Sequence, residues 1–84
     1  MTERDVASEI LSQVDDLVAE EHQLRSQATG HGLDEDGRAR LRSLEERLDQ
    51  CWDLLRQRRA RVDAGEDPGA AEVRPAGEVE GYLQ

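Results

Sequence analysis

Apolar residues in the first third of the chain recur at helical spacing. Between residues 3 and 29 they fall three or four positions apart, with one step of seven across Glu21, which places them along one face of an α-helix. The pattern predicts a helix over residues 3–29, ending where Gly30 and Gly32 can adopt the positive φ that closes a helix. The predicted apolar face consists of Val6, Ile10, Val14, Leu17, Leu24 and Ala28, with Leu11 and Val18 beside it.

A second helical pattern follows a short turn. Asp34 is a suitable N-cap, and Gly65 followed by Pro68 ends the pattern, so we predict a helix over residues 34–64 after a turn at 30–33. Its apolar positions alternate in steps of three and four, apart from a gap at Arg58. They are Leu41, Leu44, Leu48, Cys51, Leu55 and Val62.

The two patterns fit one antiparallel register. When the a and d heptad positions of the first helix face the d and a positions of the second, the two residue numbers in every layer have the same sum; Leu17 with Leu48 is one layer. We therefore predict an all-α protein, a coiled-coil-like antiparallel hairpin over residues 1–65. Arg58 occupies a d position opposite Ala7, where it either extends outward past that small side chain or splays the helices.

The last part of the chain, residues 66–84, loses the helical period. It is rich in Gly, Pro, Ala and Glu, which predicts a flexible or loosely docked acidic tail. Val79, Tyr82 and Leu83 are its sizeable anchors, so the alternative is a short segment that packs back on the helices or onto a partner.

Three apolar residues fall outside the two-helix seam. Leu11, Val18 and Trp52 each follow a d position, so they occupy e positions on the same flank of the hairpin. A two-helix seam uses a and d alone, whereas a broader stripe is typical of a four-helix bundle. We predict that two hairpins pair through this flank into a homodimer.

The charge of the chain changes the interpretation of its arginines. Twenty acidic and eleven basic residues give a net charge of −9, which disfavours nucleic-acid binding. In the predicted register the arginines at the end of the second helix lie beside Glu3, Asp5 and Glu9, so they are better explained as a complement to those acids. These arginines are Arg56, Arg58, Arg59 and Arg61.

Catalytic and metal-binding patterns are not apparent. Glu21 and His22 point about 100° apart on a helix and His31 belongs to the turn, so they do not form a metal site. Cys51 faces Val14 in the register and is expected to be a core residue. We predict neither enzymatic activity nor a cofactor. The single cysteine fits a cytoplasmic protein, and the sequence has no apolar run that suggests a membrane span or signal peptide.

An acidic tip gives an alternative function. Asp34, Glu35 and Asp36 are explained as helix-capping residues, yet the layout resembles the acidic-tipped coiled-coil factors that enter the secondary channel of RNA polymerase. Our leading hypothesis is a non-enzymatic protein–protein interaction module that self-associates through its apolar flank. The alternative is a regulator of the transcription or translation machinery that binds through its acidic tip or through the four arginines. Tyr82 in the tail is a further candidate contact for a partner.

Three stretches resemble a known family. "LRSLEERLDQCWDLLRQRRARVDAGEDP" and "VRPAGEVEGYLQ", together with "DLVAEEHQLR", are similar to a small actinobacterial family known as domain of unknown function 2630. "QCWDLLRQRRA" is the most specific part. The resemblance implies an actinobacterial cytoplasmic protein of about this length and carries no activity, ligand or residue role. It favours a working role for the terminal "EVEGYLQ".

Overall fold

The computed structural model describes residues 2–28 and 32–83, apart from the side chains of residues 80–83. Helix α1 covers Glu3–Gln27 and helix α2 covers Glu35–Asp63. A short 3₁₀ helix, Pro68–Ala70, and helix α3, Ala76–Leu83, follow. The described residues contain helices and no strand, which confirms the predicted all-α class.

Polar caps define the ends of the long helices. Thr2 and Asp5 form a capping box at the start of α1, in which each side chain accepts the backbone N–H of the other residue. The Asp34 carboxylate accepts the N–H of Gly37 at 2.8 Å, which starts α2 as predicted. Gly65, with φ of +74°, closes α2. Part of the predicted turn at 30–33, including Gly30 and His31, lies outside the described residues.

Helices α1 and α2 pack together as the predicted hairpin. Two ion pairs support the register. Arg25 and Glu45, both at e positions, approach to 3.5 Å on one flank, and Glu20 pairs with Arg40, both at g positions, on the other. Like flanks meet in this way only when the two helices run antiparallel. Pairing of two such hairpins into a four-helix bundle stays a prediction.

The hairpin core is narrow. Among the described residues, the buried apolar side chains are Ile10, Val14, Leu17, Leu44 and Val79. Val62, which the heptad pattern placed in the seam, is exposed in the structure. This expectation was wrong because the facing layer is Glu3, the first residue of α1, whose carboxylate pairs with Arg58 and does not cover the valine.

The C-terminal segment packs against α2. Composition left two arrangements open for residues 66–84, and the structure has the packed one over the 3₁₀ helix and α3. Asp67 caps the 3₁₀ helix by accepting the N–H of Gly69 at 2.9 Å. Val79 of α3 is completely buried. No helix in the described part of the chain is both long and apolar enough to span a bilayer.

Candidate interaction surfaces

Leu11, Val18 and Trp52 form an exposed patch that we call the apolar flank. Their exposed fractions are 43%, 39% and 44%. The ion pair between Arg25 and Glu45 joins e positions of both helices, so the other e positions, which these three residues occupy, share that side of the hairpin. The three residues therefore lie on one side of the hairpin and are open to solvent, and their role as an interface stays a prediction.

The C-terminal segment covers a different side of α2. Gln50 donates its side-chain N–H to the carbonyl of Arg74 at 3.1 Å, and Gln57 donates to the carbonyl of Glu72 at 2.8 Å. At 100° per residue, Gln50, Asp53 and Gln57 have a mean direction around the axis of α2 that differs by about 130° from the direction of Trp52. The segment thus packs beside the opposite flank and leaves the apolar flank uncovered.

Asp53 holds the C-terminal segment through a buried ion pair. Its side chain is only 1% exposed, and both of its oxygens accept from the Arg74 guanidinium, with Nε at 2.8 Å. Gln57 donates a further hydrogen bond at 2.8 Å. The hydrogen bond from Arg74 lowers the pKa of Asp53 below its ordinary value, and Gln57 and Arg56 act in the same direction against the effect of burial.

Sequence reasoning missed this pair. Asp53 occupies an outward heptad position, and Arg74 belongs to the aperiodic segment. The polar residues Gln50, Asp53 and Gln57 do recur at helical spacing, but the same spacing is found on any solvated helix face. Their spacing can be recognised as a contact surface only when the C-terminal segment is known to pack over them.

An open groove of about 390 Å³ runs along the side opposite the apolar flank. Its apolar part is formed by Ile10, Leu17, Cys51, Leu54 and Val73. Burial raises the pKa of the Cys51 thiol, with Arg47 acting in the opposite direction. The thiol is therefore protonated at neutral pH, as suits a packing residue and not a nucleophile.

The four candidate arginines are placed differently from one another. Arg58 extends past Ala7, which was one of the two arrangements left open by its core position. It reaches one turn along α1, where its Nε lies 2.8 and 3.0 Å from the two carboxylate oxygens of Glu3. This hydrogen bonding raises the pKa of Arg58. Arg61 contacts Glu66 at 3.3 Å, and Arg56 lies 3.9 Å from Asp53.

The expected acidic complement is therefore only partly present. Glu3 does pair with Arg58, but Asp5 caps its own helix, and neither Asp5 nor Glu9 forms an ion pair with any described residue. The Glu66 carboxylate, beyond the end of α2, takes part instead. Arg59 is exposed.

The acidic tip is mostly occupied with local structure. Asp34 acts as the N-cap, and Arg38 donates to the carbonyl of Leu33 at 2.9 Å, which ties the turn to α2. Glu35 and Asp36 are exposed in the first turn of α2, where acids stabilise a helix. The Tyr82 side chain, the remaining predicted contact, lies outside the described residues.

Comparison with known proteins gives a family and no activity. The family described as "Protein of unknown function (DUF2630)" matches residues 6–84. Uncharacterized proteins of Mycobacterium tuberculosis (H37Rv) and Mycobacterium bovis are each 55% identical over 76 residues, covering 89% of this chain and 87% of the relative. No solved structure matches this chain.

Proposed function

Because this chain belongs to the DUF2630 family, whose description gives no activity, we propose its function from its own surface. It is a non-enzymatic helical-hairpin module for protein–protein interaction, and it self-associates through the apolar flank. The observation that carries this proposal is the shared exposure of Leu11, Val18 and Trp52 on one side of the hairpin.

Exposure of this patch is costly for an isolated chain. Burial of a large apolar side chain stabilises by about 1.5–3 kcal/mol, and each of these residues retains roughly two fifths of its surface in water. Single exposed apolar residues are ordinary, whereas an indole with two aliphatic neighbours on one face is typical of a protein interface. A second hairpin that covers the apolar flank would recover this burial.

The surface area of the chain also supports association. Its accessible surface is 6051 Å², whereas a folded monomer of 9.4 kDa is expected to have about 5,000 Å². The excess, about 1,000 Å², is comparable with the ~800 Å² that each partner buries in a standard protein interface. An elongated molecule of 51 × 26 × 15 Å has this excess because its two long helices cover each other on one side only.

An enzymatic function draws no support from the groove. Among the described residues, Cys51 is the strongest nucleophile by type, and its raised pKa keeps it in the unreactive thiol form. The groove is open to solvent, and its polar lining residues, Gln13, Asp16, Glu20, Arg47 and Gln50, include no histidine and no hydroxyl nucleophile. We also infer a cytoplasmic location, since a single unpaired cysteine suits a reducing compartment.

Regulation of the transcription or translation machinery draws less support than self-association. Three of the side chains it would use have partners within the chain: Asp34 caps α2, Arg58 pairs with Glu3, and Arg61 contacts Glu66. The remaining charged contacts are common features of a solvated helix surface.

The first prediction tests self-association directly. We expect the purified protein to sediment at about twice its chain mass of 9.4 kDa, and Leu11→Glu to reduce it to one chain, because the new carboxylate would be buried without a partner. Gln13→Glu is the matched control, since it adds the same charge on the opposite flank and should leave the dimer intact. Circular dichroism establishes that each variant is helical.

Two results would contradict the proposal. One is a wild-type protein that remains monomeric at about 100 µM, well above the range in which a standard-size interface holds two chains together. The other is a dimer in which Leu11→Glu and Gln13→Glu behave alike. The fluorescence of Trp52 adds a second readout, because its emission should shift to longer wavelength when Leu11→Glu exposes it.

A further inference from the structure

Charged residues on α2 are arranged symmetrically about Trp52. They occupy the b and e heptad positions, on the same side of the helix as the indole. On each side of Trp52 the nearest charge is three or four residues away, the next is seven, and the last is ten or eleven. Towards the N-terminus the order is acid, acid, arginine, and towards the C-terminus it is arginine, arginine, acid. The residues are Asp49, Glu45 and Arg42 on one side and Arg56, Arg59 and Asp63 on the other.

Most of these charges are available for a partner. Four of them form no ion pair with any described residue: Arg42, Asp49, Arg59 and Asp63. The other two have long contacts within the chain, Glu45 with Arg25 at 3.5 Å and Arg56 with Asp53 at 3.9 Å. Each distance leaves room for a second, closer partner.

We infer that α2 of one copy pairs with α2 of a second copy in antiparallel orientation, about a two-fold axis that passes beside Trp52. The inference rests on the proposed self-association and specifies its geometry. In this arrangement each charged residue meets its opposite at the mirrored position of the second copy, and symmetry repeats every contact. The pairs are Asp49 with Arg56, Glu45 with Arg59 and Arg42 with Asp63.

The apolar residues of α1 fit the same axis. In the antiparallel register, in which Leu17 is level with Leu48, Trp52 is level with Gln13 of α1. Trp52 therefore lies between the levels of Leu11 and Val18. A two-fold axis at that height brings Leu11 of one copy near Val18 of the second, so the apolar flank is complementary to itself.

A different two-fold axis would produce a less favourable set of contacts. If the axis ran parallel to the helices, α1 of one copy would lie over α2 of the second. The e-position arginines of α1, Arg4 and Arg25, would then each meet both an arginine and an acid of α2, with no consistent pairing. Charge complementarity therefore favours the antiparallel contact between the two α2 helices.

A mixing experiment tests this geometry. Arg42→Asp and Asp63→Arg each place like charges together twice in their own homodimers, whereas a heterodimer of the two variants has opposite charges at both contacts. Neither residue has an ion-pair partner among the residues that the structure describes, so the substitutions act between copies. Because exposed pairs have modest individual effects, we expect the ratio of heterodimer to total homodimer to rise about tenfold above its value for random pairing, as measured by native mass spectrometry.

The outcomes separate the geometry from self-association itself. A dimeric wild-type protein whose two variants mix in statistical proportions would overturn the inference and leave the proposed function standing. A monomeric wild-type protein would overturn both. The control mixture is Gln13→Glu with wild type, which should give statistical proportions in every case.

Distances between spin labels give an independent readout. In a Cys51→Ser background, labels at position 42 of both copies should lie about 30 Å apart along the helix axis, and labels at position 49 about 10 Å, from a rise of 1.5 Å per residue. Equal separations at the two positions would indicate an axis parallel to the helices and would overturn the inference. Each labelled protein must keep the oligomeric mass of the wild-type protein.

Discussion

Asp53 brings a negative charge to a position that water hardly reaches. A buried carboxylate costs several kcal/mol unless it is paired and hydrogen-bonded, and Asp53 meets both conditions through Arg74 and Gln57. The pair is also directional, because the planar guanidinium of Arg74 donates hydrogen bonds to both oxygens of the carboxylate. At the scale of single residues, this contact is one of those that hold the C-terminal segment against α2.

Acid should weaken that contact. The folded-state pKa of Asp53 lies below its unfolded value of about 3.9, so its stabilisation is fully present above that pH and is lost as the pH falls through the folded pKa. We expect the difference in unfolding free energy between wild type and Asp53→Asn to be constant at about pH 5–8 and to shrink below about pH 4. Urea unfolding at one fixed protein concentration measures it.

Asp16→Asn is the control for this pH dependence, because Asp16 is exposed on α1 and has no ion-pair partner among the described residues. Its difference from wild type should be small at every pH. A difference for Asp53→Asn that persists unchanged in strong acid would show that the carboxylate contributes through its shape alone.

At the scale of elements, α3 supplies core that the hairpin lacks. Helices α1 and α2 together bury few apolar side chains, and Val79 of α3 is as completely buried as Leu44 of α2. The helix is short, so its stability comes from packing and not from its own propensity. The segment is therefore part of the folded unit, anchored by Val79 at one point and by Arg74 at another.

The contribution of α3 can be measured with two valines of the same segment. We expect Val79→Ala to lower the unfolding free energy by about 2 kcal/mol, since it removes fully buried methyl groups and leaves a cavity. Val73→Ala should cost less than about 0.5 kcal/mol, because Val73 is 62% exposed. Equal effects of the two substitutions in chemical denaturation would show that α3 does not hold its packed position in solution.

At the scale of the whole molecule, the hairpin has two unlike sides. The C-terminal segment packs beside the groove, and the apolar flank remains open. Under the proposed function, the apolar flank is the face that meets a partner. Folding and association would then use different sides of α2, since the C-terminal segment covers one side and leaves the other exposed.

Association should therefore appear as a concentration-dependent stability. A tenfold rise in protein concentration adds about 1.4 kcal/mol to the stability of a two-state dimer, which corresponds to roughly 4 °C in unfolding temperature. We expect this rise for the wild-type protein and none for Leu11→Glu, as followed by circular dichroism. An unfolding temperature that is independent of concentration in both would count against a dimer that is coupled to folding.

The hairpin could be predicted from the sequence alone. Apolar residues at steps of three and four, the Asp34 cap and Gly65 are local signals, and local signals suffice because a helix is built from contacts between near neighbours. The family was likewise recognisable from the stretch around "QCWDLLRQRRA" and is confirmed. The three-dimensional fold was needed to show that Asp53 binds Arg74, and to show which of the acids predicted beside the arginines pairs with Arg58, namely Glu3. Asp53 and Arg74 lie in different segments of the chain, and neither residue shows in its own sequence neighbourhood that the other is its partner.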